Sequence, residues 1–227
     1  MNHRNSPVQI GGSRRPVPGR GSPIVTGLAR GLIRIGLHPN HVSLLSILFA
    51  GLSALAMITG AGFESLWQRA LLLAAAAALI LIRSICNLVD GLMAVEGGMK
   101  SPAGEIYNDL PDRVSDLLML VGAGTAIGTM EGIAAGMAAT ILALLAAYVR
   151  VLGAAAGAGH DFRGPMAKPH RMLVIAIASL ITILEPALGW SRGNVLRIAL
   201  ALVIGGCLIT IIRRLHHIVR RLNARTS

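Results

Sequence analysis

The sequence predicts an all-α integral membrane bundle: six transmembrane helices preceded by an amphipathic helix in the membrane interface. Three observations predict it. Of the 227 residues, 54% are hydrophobic and only 14% charged, with no polar face on runs such as 70–82 and 173–184. Six apolar stretches are each long enough to cross a bilayer. The basic residues fall at the ends of those stretches and alternate in number from one connection to the next.

In chain order, residues 1–23 are rich in Gly, Pro, Arg and Ser and read as a disordered basic tail. Ile24, Leu28, Leu32 and Ile35 then form a helical apolar stripe, with Arg30 and Arg34 off it, which suits an interfacial helix. Pro39 ends that helix and Asn40 can cap the next. The membrane segments are expected at 41–60, 66–89, 108–128, 132–155, 171–188 and 194–213. The membrane domain thus spans 24–215, and 216–227 is a basic C-terminal tail.

The arginines before segment one, the cations Arg83, Lys100 and Arg113, the loop cations Arg163, Lys168 and Arg171, and the C-terminal arginines all fall on one side of a six-span chain. Arg69, Arg192 and Arg197 are left for the other. By the positive-inside rule both ends are cytoplasmic, and Trp67 and Trp190 lie at the outer interface. The net charge of +11 is placed for anionic lipid headgroups, not nucleic acid, because no aromatic platform for bases accompanies it. Cys86 and Cys207 sit in apolar segments and form no disulfide framework.

Six of the ten acidic residues are concentrated between Asn87 and Asp116. Carboxylates beside hydrocarbon are costly and mark function. Asn87, Asp90, Gly91 and Ala94 share one helical face. After a Gly-rich break, Glu105, Asp109, Asp112 and Asp116 form a second stripe, with Asn108 at its margin. These five fall within an arc of roughly 100°. Two helices carrying such faces can oppose each other with hard oxygen ligands inward, which suits Mg²⁺ or Mn²⁺ and not zinc.

The same stretch resembles the CDP-alcohol phosphatidyltransferases, whose motif is D-x2-D-G-x2-A-R-x8-G-x3-D-x3-D. Here the frame reads Asn87-x2-Asp90-Gly91-x2-Ala94-Val95-x8-Gly104-x3-Asn108-x3-Asp112. Every spacing fits, while the first and third aspartates are asparagines and the arginine is Val95. Ser101, the run Pro111–Asp116 and the Pro39–Ser43 stretch extend the similarity, which describes a divergent branch.

The resemblance implies an enzyme of phospholipid biosynthesis in a membrane, expected to be a bacterial inner membrane. It transfers a phosphate-linked group from a CDP-alcohol, CDP-diacylglycerol foremost, to an alcohol acceptor and releases CMP. It implies Asn87, Asp90, Asn108 and Asp112 as metal positions for Mg²⁺ or Mn²⁺, and Asp112 as the general base. Asp90, Gly91, Ala94 and Gly104 would meet the nucleotide. Glu105, Asp109 or Asp116 could compensate the two missing charges, and Lys100 or Arg113 the missing arginine. Arg150, late in segment four, and Arg163, Lys168 and Arg171 in the His160–Met172 connection suit phosphate or acceptor binding. His216 and His217 read as solvated. A homodimer is one assembly open to such a bundle. The alternatives are a catalytically impaired lipid-binding or scaffold protein on the same bundle and, more weakly, a transporter, for which the internal repeats of that class are not evident.

Overall fold

The computed structural model describes residues 22–99 and 103–224. The expected basic tail therefore lies, up to residue 21, outside the described residues, as do Lys100 and Ser101. The described residues form seven helices and no strand: α1 Pro23–Arg34, α2 Pro39–Gly62, α3 Leu66–Glu96, α4 Gly104–Ala126, α5 Met130–Ala155, α6 Lys168–Thr182 and α7 Asn194–Asn223.

Local chemistry sets the boundaries. Pro39 and Pro169 occupy first-turn positions, where the missing N–H costs nothing. The Thr129 hydroxyl accepts from Gly132 N at 3.2 Å and caps α5. Gly128, with φ +78°, makes the short turn out of α4. Pro111 lies inside α4 without ending it, and α4 begins at Gly104, ahead of the expected 108. α3 has 31 residues and α7 has 30. At 1.5 Å per residue each is roughly 45 Å long, more than the hydrocarbon core of about 30 Å. Both therefore extend beyond an apolar slab, and α7 continues through most of the expected C-terminal tail.

Helices α2 to α7 close into a ring in the order α2, α3, α6, α7, α5, α4. Helices consecutive in the chain alternate in direction, so α5 and α7 run parallel where late α7 meets late α5 at Arg214–Ala146. The start of α2 meets the end of α3 at Ser43–Asp90, the end of α5 meets the start of α4 at Arg150–Asp109, and the start of α6 meets late α3 at Lys168–Asn87. At the far end Arg69, early in α3, donates to the carbonyl of Ala61 at the end of α2. α1 lies outside the ring, with Val25 and Ala29 buried in a cluster with Val42, Val89, Leu92 and Met93. Its Ile24, Leu28 and Ile35 are exposed.

Small residues let the helices approach closely. A Cβ on Gly136 of α5 would lie 2.6 Å from the Leu120 carbonyl oxygen of α4 and 3.2 Å from Gly124 Cα. The main core is Ala-, Leu- and Met-rich, including Met57, Leu120, Ile175, Leu196 and Val203.

The chain is an integral membrane protein with four helices long and apolar enough to cross a bilayer among the described residues: α2, α3, α5 and α7. Six were expected. α4 falls short in apolarity because its first half carries Asp109, Asp112, Arg113 and Asp116; α6 falls short in length, with 15 residues before the chain turns through 183–189.

At the far end lies an ion pair that sequence reading missed. Arg69, read there as a flanking charge, is buried with Glu185 at 2.9 Å. Arg69 also donates to the Thr182 and Ala61 carbonyls, while Glu185 accepts from the N–H groups of Gly193 and Val195. One buried carboxylate thus ties α3 and the end of α6 to the start of α7.

Candidate functional site

The polar residues converge inside the ring at the end where α3 and α5 finish and α4 and α6 begin. α3 and α4 both pack along α2 but touch each other sparingly, which leaves a cleft between them. Asp90 enters from α3 and is buried; its Oδ2 accepts from Ser43 Oγ at 2.5 Å and its Oδ1 from Gly91 N at 2.5 Å. Asp112 enters from α4 and is also buried.

Two cations accompany them. Arg83 Nη2 donates to Asp112 Oδ1 at 2.8 Å, and Arg83 is entirely buried. The sequence reading counted Arg83 among the cations flanking the second connection; the structure buries it within α3, which runs on to Glu96. Lys168, from the first residue of α6, pairs with Asp112 and donates to Asn87 Oδ1 at 2.6 Å. Lys168 thereby links the first and last positions of the motif.

Behind this group, Asp116 is fully buried and accepts from Arg171 Nη2 at 2.6 Å, while Arg171 Nη1 holds the Met166 carbonyl. Arg113 lies 3.6 Å from Asp116 and 3.5 Å from Asp109. At the mouth, Arg150 reaches Asp109 at 2.7 Å and places its guanidinium over the Phe162 ring at 5.8 Å. Gly91 and Ala94 on α3 and Gly104 at the start of α4 are half-buried, and Asn108 is exposed.

The cations of the α5–α6 connection divide. Lys168 and Arg171 turn into the bundle, whereas Arg163 and His170 are exposed. Arg163 donates to His217 Nδ1 at 3.1 Å and lines a cavity of about 690 Å³ with Arg213, His216, His217 and Arg220. His217, expected in solvent, is held there with Asp161 3.9 Å from its other ring nitrogen.

The oxygen donors gathered here are the Asp90 and Asp112 carboxylates and the Asn87 amide oxygen, all hard ligands. Among the described residues no group of three or more His, Cys, Asp or Glu is arranged as a metal centre. The chemistry of that set suits a divalent cation such as Mg²⁺ or Mn²⁺.

A membrane helix bundle with an oxygen-rich, cation-flanked cleft at one end is the class defined by this fold and site. Its structural neighbours are CDP-alcohol phosphatidyltransferases, and the fold of this chain is theirs. The phosphatidylinositol phosphate synthase of Mycobacterium tuberculosis, in its structure with CDP-DAG bound, superposes with a TM-score of 0.69 at 22% identity, over 86% of this chain and 93% of that one. The same protein in complex with manganese and citrate gives 0.68 at 22% identity, over 86% and 88%. A bifunctional IPC transferase and DIPP synthase of Rubrobacter xylanophilus is 33% identical over 119 residues, 52% of this chain. That match covers 25% of the longer relative. No protein-family model matches the sequence.

Proposed function

We propose that the chain is a CDP-alcohol phosphotransferase of phospholipid biosynthesis. It would transfer the phosphate-linked group of a CDP-alcohol, CDP-diacylglycerol foremost, to the hydroxyl of an acceptor alcohol. The carrying observation is that the Lys168 ammonium is shared by Asn87 of α3, one turn before Asp90, and Asp112 of α4. The fold shared with a synthase crystallised with CDP-DAG supports the same reading.

In this reading the acceptor oxygen forms a bond to the phosphorus of the transferred group, and the bond from that phosphorus to the CMP oxygen breaks. Asp112 takes the hydroxyl proton. Arg83, fixed behind Asp112, holds that carboxylate in place. Asp90, oriented by Ser43 and Gly91, would hold a Mg²⁺ or Mn²⁺ ion together with Asp112 and the amides of Asn87 and Asn108. When bound, the ion neutralises pyrophosphate charge. Gly91, Ala94 and Gly104 leave the nucleotide room against the backbone. Arg150 lies at the mouth, where an acceptor phosphate would arrive, and Lys168 reaches the phosphates from α6. Arg171 acts through Asp116 to keep α4 and α6 in register. Arg163 offers its charge in the neighbouring basic cavity.

Helices α2 to α7 all cross the membrane in this reading, α6 together with the turn after it; both ends and the cleft are cytoplasmic, and the membrane is a bacterial inner membrane. Leu173, Ile177, Leu180, Leu184 and Leu188 form an exposed apolar stripe along α6 and the turn after it, which suits lipid contact. The exposed Ile24, Leu28 and Ile35 suit α1 lying in the interface. The assembly is one chain or a homodimer.

The engagement of Asp112 by Arg83 and Lys168 favours one second reading, a lipid-binding protein without turnover. CMP release from CDP-diacylglycerol by purified protein, with Mg²⁺ or Mn²⁺ and a panel of acceptor alcohols, separates the two. Turnover with at least one acceptor is expected. Binding of CDP-diacylglycerol without turnover on any acceptor would establish the second reading.

A further inference from the structure

We propose that Lys168 serves as a cation built into the chain in place of a second metal ion, so that the cleft takes one divalent ion and holds a pyrophosphate partly without metal. This rests on the phosphotransferase reading of the cleft and specifies how that cleft meets its substrate.

Asp90 and Asp112 contribute two negative charges, while three cations lie against Asp112: Arg83, Lys168 and, at 3.9 Å, Arg113. The cluster therefore carries no net negative charge before any ion binds. The remaining motif positions, Asn87 and Asn108, offer oxygen without charge. A second divalent ion would add two charges with no carboxylate to balance them, in a site already removed from water.

Geometry singles out Lys168. Its ammonium joins Asn87 and Asp112, which are opposite ends of the motif on separate helices, as a bridging cation would. Pro169, in the first turn of α6, fixes the backbone beside it. An ammonium has three N–H donors; Asn87 and Asp112 take two, leaving one for a phosphate oxygen. Arg83 cannot take this role, because its side chain is 0% exposed while that of Lys168 is 17% exposed. Asn87 fits the arrangement: an amide oxygen accepts from the ammonium without neutralising it, so its charge remains available to the substrate.

The test uses the full-length protein in detergent, with CDP and Mn²⁺ as probes. In EDTA the wild type binds CDP, and Lys168→Gln weakens that binding about 10- to 100-fold, the loss of one charge-assisted contact. With Mn²⁺ the direction reverses: Lys168→Gln binds the ion more tightly, because a competing cation has gone. A merely structural lysine would not give opposite signs. By Mn²⁺ paramagnetic resonance in the presence of CDP, the wild type holds one ion per chain. Asn87→Asp with Asn108→Asp, retaining Lys168, still holds one, and adding Lys168→Gln to that pair gives two. Lys168→Arg keeps CDP binding in EDTA, which separates loss of charge from loss of fold. The proposal is overturned by two ions on the wild type, by no CDP binding to the wild type in EDTA, or by equal CDP binding in wild type and Lys168→Gln. These are binding measurements, whereas the phosphotransferase reading stands or falls on CMP release.

Discussion

Glu185→Gln should unfold the far end of the bundle at markedly lower temperature. In the native protein the Glu185 carboxylate accepts three bonds: from Arg69 Nη2 at 2.9 Å, Gly193 N at 3.0 Å and Val195 N at 2.9 Å. A glutamine amide keeps one acceptor oxygen and turns a donor toward groups that are themselves donors. It also leaves the buried Arg69 guanidinium without its counter-charge. Removing one partner of a buried pair costs about 3–5 kcal/mol. The contacts of Arg69 with the Ala61 and Thr182 carbonyls remain, which puts the loss near the lower limit. At roughly 2–4 °C per kcal/mol for a chain of this size, about 3 kcal/mol lowers Tm by roughly 6–12 °C. The assay is thermal unfolding in detergent micelles by circular dichroism, with tryptophan emission as a local probe. Both tryptophans of the sequence, Trp67 and Trp190, flank this end, and Trp190 N donates to the Glu185 carbonyl. Arg69→Met with Glu185→Leu should recover most of the loss, because neither buried charge remains. CDP binding in the cold should persist in every variant, since Arg69 precedes Asp90 by a helix length of roughly 30 Å. A Tm shift under 2 °C for Glu185→Gln would refute the reasoning, and so would a double variant no better than the single.

Asp112→Asn should lower CMP-releasing turnover by about 10²–10⁴-fold if that carboxylate takes the acceptor proton; turnover equal to wild type would remove the assignment. Asp116→Asn should act chiefly on stability, by about 3 kcal/mol, because it strands the buried Arg171; calorimetric unfolding with no shift would contradict this. Asn87→Asp with Asn108→Asp should tighten Mn²⁺ binding, each change adding a negative charge, and titration calorimetry showing no gain would mean that the other acids of α4 already supply it. In a cysteine-free background, Ser191→Cys should react with an impermeant thiol reagent only from the periplasmic side, and labelling from the cytoplasm would reject the proposed orientation.

Much of the site could be read in the sequence because its signals are local. Asn87 and Asp90 share a face by helical period, as do Asp109, Asp112 and Asp116, and the spacing between the groups matches a known motif. Helices α2 to α7 follow from apolar runs broken by Gly, Pro and charge. What escaped reading depends on distant partners. Lys168 meets Asn87 across 81 positions, and Arg69 meets Glu185 across 116. Arg83 lies inside the expected segment 66–89, but its partner Asp112 is 29 positions away on another helix. A signal for the far-end pair did exist: Glu185 follows an apolar run with no basic residue near it in sequence, and such an acid needs a partner from elsewhere. The departure of α4 and α6 from ordinary membrane spans has the same origin as the site. α4 carries its carboxylates, and α6 is short and begins at the lysine that meets them.

α2 supplies only one hydroxyl to the cleft, yet it sets the cleft's width. Both walls, α3 and α4, rest along it through Ser43, Ser46, Ala50, Ser53 and Ala54. A Cβ on Gly122 of α4 would lie 2.9 Å from Ala54 Cα, so little further approach is available. In a saturation mutagenesis experiment selected for activity, these α2 positions should therefore tolerate bulky residues as poorly as the acids themselves do. Tolerance alone would then mark a helix that touches no substrate as part of the active centre, and only the chemistry of the losses would tell the two apart. Enlarging Ala50 or Ala54 displaces both aspartates together, while replacing one aspartate removes a single function and leaves the other in place.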